Sequence, residues 1–185
     1  MTTNSTLGYA LLGLLHQQPM SGYDLRKIFT TTAMGSFSDS PGAIYPALNR
    51  LEARRLVHGV VAKSASLRKR RVFNITPEGI SALKAWLKGP VTQEDIVRNL
   101  DDLMLRFAFM DQALGANESV RFLRQFAERV EQYLPGLQRF LDATGKAIPA
   151  SARLALEFGI RDYATRLAWA HSSIAFYEQR KRDRK

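Results

Sequence analysis

Residues 40–75 read SPGAIYPALNRLEARRLVHGVVAKSASLRKRRVFNI. The stretch opens as a short helix. Ser40 can cap its free amides, and Pro41 sits in the first-turn slot where its missing donor does no harm. Ile44, Leu48 and Leu51 form an inward stripe; Ala43, Pro46, Ala47 and Arg50 lie opposite, with Tyr45 and Asn49 on the flanks. Pro46 leaves two starts open. A helix from Ser40 holds a proline past its first turn, at a cost of about 3 kcal/mol; alternatively the helix begins at Tyr45 or Pro46. After Leu56 the pattern turns to β, with Val57, Val60 and Val61 before a loop of small residues and Val72, Phe73 and Ile75 after it. Between the runs stand four consecutive cations, Arg68, Lys69, Arg70 and Arg71. A helix followed by two short strands and a basic loop has the form of a winged helix, and phosphate contact explains the cations better than solubility does.

Working outward, the apolar residues Leu7, Ala10, Leu11, Leu14 and Leu15 predict a buried first helix from about Leu7 to His16, ended by Pro19. Ser21, with Asp24 three residues on, opens a second helix as a capping-box variant that runs to Gly35. Downstream, Thr76, Pro77 and Glu78 open a fourth helix that stops at Gly89 and Pro90. The expected linker covers Gly89 to Gln93.

The net charge of +10 is uneven. Residues 1–90 hold 12 Lys plus Arg against 4 acids, and residues 91–185 hold 15 against 13. A basic half beside a near-neutral half fits a nucleic-acid module joined to an interaction module, though charge alone would equally serve solubility. The absence of cysteine excludes disulfides and thiolate chemistry. The apolar stretch Leu7–Leu15 falls far short of the roughly 20 residues of a membrane span, so a cytoplasmic, membrane-free protein is expected.

The second half carries three stripes with apolar residues in steps of three and four. Leu100, Leu103, Phe107, Met110 and Leu114 make the first; Val120, Leu123, Ala127, Val130, Leu134, Leu137 and Leu141 the second, whose helix starts near Asn117 and is expected to kink or divide at Pro135 and Gly136. The third holds Leu156, Ile160, Tyr163, Leu167, Ala170, Ile174 and Tyr177. Such a seam needs a covering helix. Either the second helix covers it, or a second copy does; Phe158, Trp169 and Phe176 off the seam favour a homodimer joined mainly by this helix.

The runs Leu11–Leu15 (LLGLL), Ser21–Leu25 (SGYDL), Gly42–Glu52 (GAIYPALNRLE) and Ile75–Gly79 (ITPEG) resemble the PadR family of bacterial transcriptional regulators. The likeness is close over about residues 5–90. The rest is similar, more weakly, to the C-terminal helical region of the longer, virulence-activator-like members. Arg55 stands where the family usually has glycine, and Phe73 where tyrosine is common. The resemblance implies a mainly α fold with a small β-wing: a winged helix-turn-helix domain at 1–90 and an all-helical dimerisation domain at 91–185. It implies a repressor that binds double-stranded DNA at a pseudo-palindromic operator as a homodimer, released by a small aromatic or hydrophobic effector. It places Ser40, Gly42, Ala43, Tyr45, Pro46, Asn49 and Arg50 on the recognition helix. Tyr23, Lys27, Lys63, Arg68, Lys69, Arg70 and Arg71 would serve phosphates. Trp169, with Tyr163 and His171 nearby, could line an effector pocket; the plainer reading makes Trp169 core.

An enzyme is not expected. His16, His58 and His171 form no metal-ligand pattern, there is no glycine-rich phosphate loop or nucleophile elbow, and the adjacent Asp101 and Asp102 diverge on a helix. No cofactor or metal is called for. The alternative is a non-specific nucleoid or RNA-binding protein without an effector.

Overall fold

The computed structural model describes residues 5–32, 34, 37, 41–62 and 70–183. It is mainly helical, with one three-stranded antiparallel sheet of order β1-β3-β2, and the chain divides into two compact units, Met1–Lys88 and Gly89–Lys185.

In the first unit α1 (Thr6–Gln17) starts at Ser5, whose hydroxyl accepts from the Gly8 amide at 3.2 Å. Apolar on most of its surface, α1 buries Leu7, Ala10, Leu11, Leu12, Leu14 and Leu15 and forms the centre of this unit's core. The two-residue strand β1 (Met20–Ser21) follows, then α2 (Gly22–Thr31). Here the capping box is complete: Asp24 N donates to Ser21 Oγ at 3.2 Å, and Ser21 N donates to Asp24 Oδ2 at 3.3 Å. The Ser21 hydroxyl, first, and then the Arg70 guanidinium hold the Asp24 carboxyl below its ordinary pKa. That interaction is present above the ordinary carboxylate range and is lost as pH falls through the lowered value.

α2 ends at Thr31 rather than at Gly35, which lies outside the described residues. The hydroxyls of Thr30, Thr31 and Thr32 each donate back to carbonyls at Arg26, Lys27 or Ile28, a β-branched run that disfavours helix continuation.

Pro41–Ala43 form a single 3-10 turn and α3 runs Ile44–Ala53. The later start is therefore the observed one, one residue ahead of Tyr45. Pro46 falls in the first turn, where the amide it lacks would have had no intrahelical acceptor; it breaks no helix rule. The cap residue is Ala43, with no side-chain cap bond, and Ser40 lies outside the described residues.

α3 closes with Arg55 N donating to Glu52 O at 2.8 Å and Leu56 N to Leu51 O at 2.9 Å, the Schellman pair that normally places glycine in the left-handed conformation at the first of these positions. Arg55 has φ 59°. Its departure from glycine is thus a conformational cost. Arg55→Gly is expected to stabilise the unit by about 1 kcal/mol, the low end of the left-handed penalty for a side-chain-bearing residue, read as a higher melting temperature with unchanged DNA affinity.

β2 (Val57–Ala62) pairs with β3 (Arg70–Ile75) in a register that sets Gly59 opposite Phe73 and Val61 opposite Arg71, and β3 also pairs with β1 through Met20–Phe73 and Ser21–Val72. α4 (Pro77–Leu87) is capped by Thr76, whose hydroxyl also donates to Arg55 O at 2.8 Å.

In the second unit the expected linker is partly structured. Val91 is buried; Arg129 donates to its carbonyl at 3.2 Å, and Arg106 donates to the carbonyls of Gly89 and Pro90. Burial pulls the Arg106 pKa down, and the charges of Asp95 and Asp102 raise it in opposition. A short helix α5 (Gln93–Arg98), capped by a Thr92–Asp95 box, follows. α6 (Leu100–Leu114) and α7 (Ala116–Thr144) meet at Gly115, φ 86°. α7 starts at Ala116, ahead of Asn117, and is not divided at Pro135. Pro135, Gly136 and Glu131 are all exposed, so water can reach the carbonyl that loses its donor.

α8 (Ala150–Arg182) packs along α7. Of the two covers expected for the third stripe, the helix of the same chain is the one seen. Ala170 is fully buried, the Tyr163 ring lies 5.0 Å from that of Tyr133, and Tyr177 reaches Ser119 and Asp111. The seam of Leu156, Ile160, Tyr163, Leu167, Ala170, Ile174 and Tyr177 meets helices of its own chain at these positions, because a periodic apolar stripe accepts any complementary neighbour and α7 is the one a short loop supplies. Leu154, Phe158 and Phe176 remain outside, Phe158 at 74% exposure.

Candidate nucleic-acid interface

The arrangement of α2, α3 and the β2–β3 hairpin is a winged helix-turn-helix. On α3 the buried side is Ile44, Ala47, Leu48 and Leu51. Ala47, expected on the outer face, is only 2% exposed; at about 100° per residue it lies only about 40° round from Leu51. The outer side holds Tyr45, Pro46, Asn49 and Arg50, with Gly42 exposed just ahead and Ala43 half-buried.

Tyr45 is anchored although 47% exposed. Its ring lies across the first residue of α2: a Cβ on Gly22 would come 2.6 Å from Tyr45 Cε1. The tyrosine therefore joins the two helices and presents its remaining surface outward. Tyr23 and Lys27, expected at phosphates, are exposed on α2.

The wing differs from expectation. Lys63, Arg68 and Lys69 lie outside the described residues. Arg70 and Arg71, read as phosphate ligands, are each engaged by an acid. Arg70 Nη2 is 2.6 Å from Asp24 Oδ1, and its Nε donates to Ser21 Oγ at 3.1 Å. Arg71 Nη2 donates to both Glu52 oxygens at 2.7 Å, and Glu52 Oε1 also accepts from Gly59 N at 2.9 Å. These partners are 46 and 19 residues apart in sequence, beyond the reach of any local pattern; the sequence shows only an acid in a capping box and an acid on the last turn of α3.

The Transcriptional regulator PadR-like family model matches residues 11–85, from within α1 into α4. A relative, the negative transcriptional regulator PadR of Bacillus subtilis, is 24% identical over 132 residues, 71% of each chain. Over its first unit the chain is thus similar to PadR-like transcriptional regulators. Among solved structures, Bacillus subtilis PadR in complex with operator DNA is 20% identical and covers 92% of this chain and 98% of that one, with a TM-score of 0.41. The same protein in complex with p-coumaric acid is 21% identical, with coverage of 94% and 96% and a TM-score of 0.39.

In this chain the three residues offered for an effector pocket do not converge. Trp169 stands edge-on to Phe107 and Phe126, with centroids 5.5 and 5.8 Å away, inside an aromatic cluster. Tyr163 packs on Tyr133, and His171 Nε2 is 3.1 Å from Glu131 Oε1. Spacings of six and two residues turn Trp169 more than about 100° round the helix from both of the others. A cavity of about 930 Å³ instead lies where α7 begins and α8 ends, lined by Val120, Arg121, Arg124, Tyr177 and Arg180 among others.

Proposed function

We propose that this protein is a transcriptional repressor that binds a pseudo-palindromic operator as a homodimer and is released by a small aromatic or hydrophobic effector. The observation that carries the DNA reading is the helix pair α2–α3, α2 capped by Ser21, with Tyr45, Pro46, Asn49 and Arg50 exposed on one side of α3 beside a basic hairpin. The winged helix-turn-helix unit, 1–90, binds DNA and the helical unit, 91–185, joins the copies. Gly42, Ala43, Tyr45, Pro46 and Asn49 face bases or the adjoining backbone, and Ser40, which precedes them in sequence, joins them. Tyr23, Lys27, Arg50, Lys63, Arg68 and Lys69 serve phosphates. Repression is supported by the negative regulator among the relatives. The exposed apolar side of α8, Leu154, Phe158 and Phe176, supports a partner helix. The effector reading is supported by the cavity at Val120 and Tyr177, where apolar and aromatic surface is joined by both cations and carboxylates, Arg124 and Glu178 among them, a lining that suits a small aromatic compound.

Selection of binding sites from random oligonucleotides tests this reading. Two inverted half-sites about 10 bp apart, centre to centre, are expected. Asn49→Ala is then expected to relax preference at one position of each half-site by about 1–3 kcal/mol. Binding that random competitor DNA abolishes in wild type and variant alike would point to the non-specific nucleoid protein instead.

A further inference from the structure

The wing carries an arginine whose surroundings are more complete than a phosphate ligand requires. Arg71 Nη2 meets both oxygens of Glu52 at 2.7 Å, and its Cζ lies 5.2 Å from the centroid of the Phe73 ring. Its guanidinium also lies against the neighbouring strand: a Cβ on Gly59 would fall 3.0 Å from Arg71 Cζ and closer still to Nε. Glu52 is held in turn by the Gly59 amide at 2.9 Å. Carboxylate, ring and bare backbone fix this cation before any ligand arrives. Arg70 repeats the scheme at the other side of β3, with Asp24 at 2.6 Å, Ser21 Oγ at 3.1 Å and the Tyr23 ring at 5.8 Å.

DNA affinity that is blind to sequence comes from cations that displace counterions from phosphates. An arginine whose charge is already answered by a carboxylate displaces fewer, and the carboxylate beside it would be brought toward another negative group. On the DNA-binding reading above, we infer that Glu52 and Asp24 are specificity-setting positioning residues: they keep Arg71 and Arg70 on the wing and off the phosphate backbone. Non-specific affinity is thereby held down while the wing is fixed relative to α3, so the bases read by α3 weigh more in the choice of site.

The salt dependence of duplex binding tests this, because a structural role alone leaves it unmoved. In wild type, Arg71→Gln is expected to leave the slope of log Kobs against log salt unchanged. Glu52→Gln retains a carbonyl to accept the Gly59 amide but frees Arg71. It is expected to steepen the slope by about 0.9, so that a tenfold rise in salt costs about eightfold more affinity than in wild type. The double variant Glu52→Gln with Arg71→Gln returns to the wild-type slope. Glu78→Gln, on the exposed first turn of α4, makes the same change in net charge and is expected to leave the slope near wild type. A slope flattened by about 0.9 in Arg71→Gln alone, or a Glu52→Gln slope no steeper than that of Glu78→Gln, overturns the inference and leaves DNA binding standing. Should Glu52→Gln fail to fold, Asp24→Asn, which frees Arg70, takes its place: the same steepening is expected, and an unchanged slope overturns the inference. A wild-type protein that binds no duplex at any salt overturns the DNA-binding reading and the inference with it.

Discussion

Gly79→Ala is expected to destabilise the first unit by about 3 kcal/mol, at the upper end of what overpacking costs, and to lower its melting temperature by about 12 °C or more. Gly79 is the third residue of α4, buried against Leu56, the residue just ahead of β2. A Cβ there would lie 2.8 Å from Ile75 Cγ1, 3.0 Å from the carbonyl carbon of Leu56, and nearer still to the Leu56 oxygen. The obstacle is backbone, and that oxygen already accepts from Thr76 N at 3.0 Å. Relief therefore moves the cap of α4 or the start of β2, and both reach the wing. Thermal unfolding followed by circular dichroism checks the size of the effect. Gly159→Ala in α8 is the control: a Cβ there meets nothing within 4 Å, and replacing a mid-helix glycine stabilises by about 0.8–1 kcal/mol.

Phe126→Ala is the second large effect. Phe126 is fully buried on α7 and stands edge-on to Trp169 at 5.8 Å and 90°. Truncation removes the ring and leaves a hole among rigid helices, at about 3–5 kcal/mol. Because Trp169 loses one of its two aromatic neighbours, its emission shifts to the red, measured in a Trp86→Phe background that silences the tryptophan stacked on Tyr9 at 4.5 Å. A variant that keeps wild-type stability and emission would show that the α7–α8 contact is not where the second unit's stability resides.

The features legible in the sequence are those settled within three or four residues. The Ser21–Asp24 box, the Thr76 cap with Pro77, and the buried face of α1 all depend on local spacing. The winged helix can therefore be read from the residues alone. What stays hidden depends on distant partners. β1 is two residues long and is a strand only because Val72 and Phe73 pair with it. α5 begins inside a stretch rich in turn signals, where the Thr92–Asp95 box does not stand out. The stripe on α8 is visible as a stripe, but α7 and a second copy satisfy its periodicity equally well. The four cations of the wing read as one group, since nothing local marks Asp24 and Glu52 as partners for two of them. Arg55 is the intermediate case: the missing glycine is evident, and the positive φ shows what it costs.

The bare backbone at Gly59 has a consequence for how this wing can change over time. The space a side chain would need at 59 is already filled by the guanidinium of 71, whose charge is answered by 52. The three positions form a lock with one combination. A lineage that acquires even a methyl group at 59 must shorten or redirect residue 71, and a carboxylate then left without its cation at 52 becomes a liability beside DNA. Substitutions at 52, 59 and 71 are expected to travel together among relatives, whereas the outer residues of α3 drift independently as operators diverge.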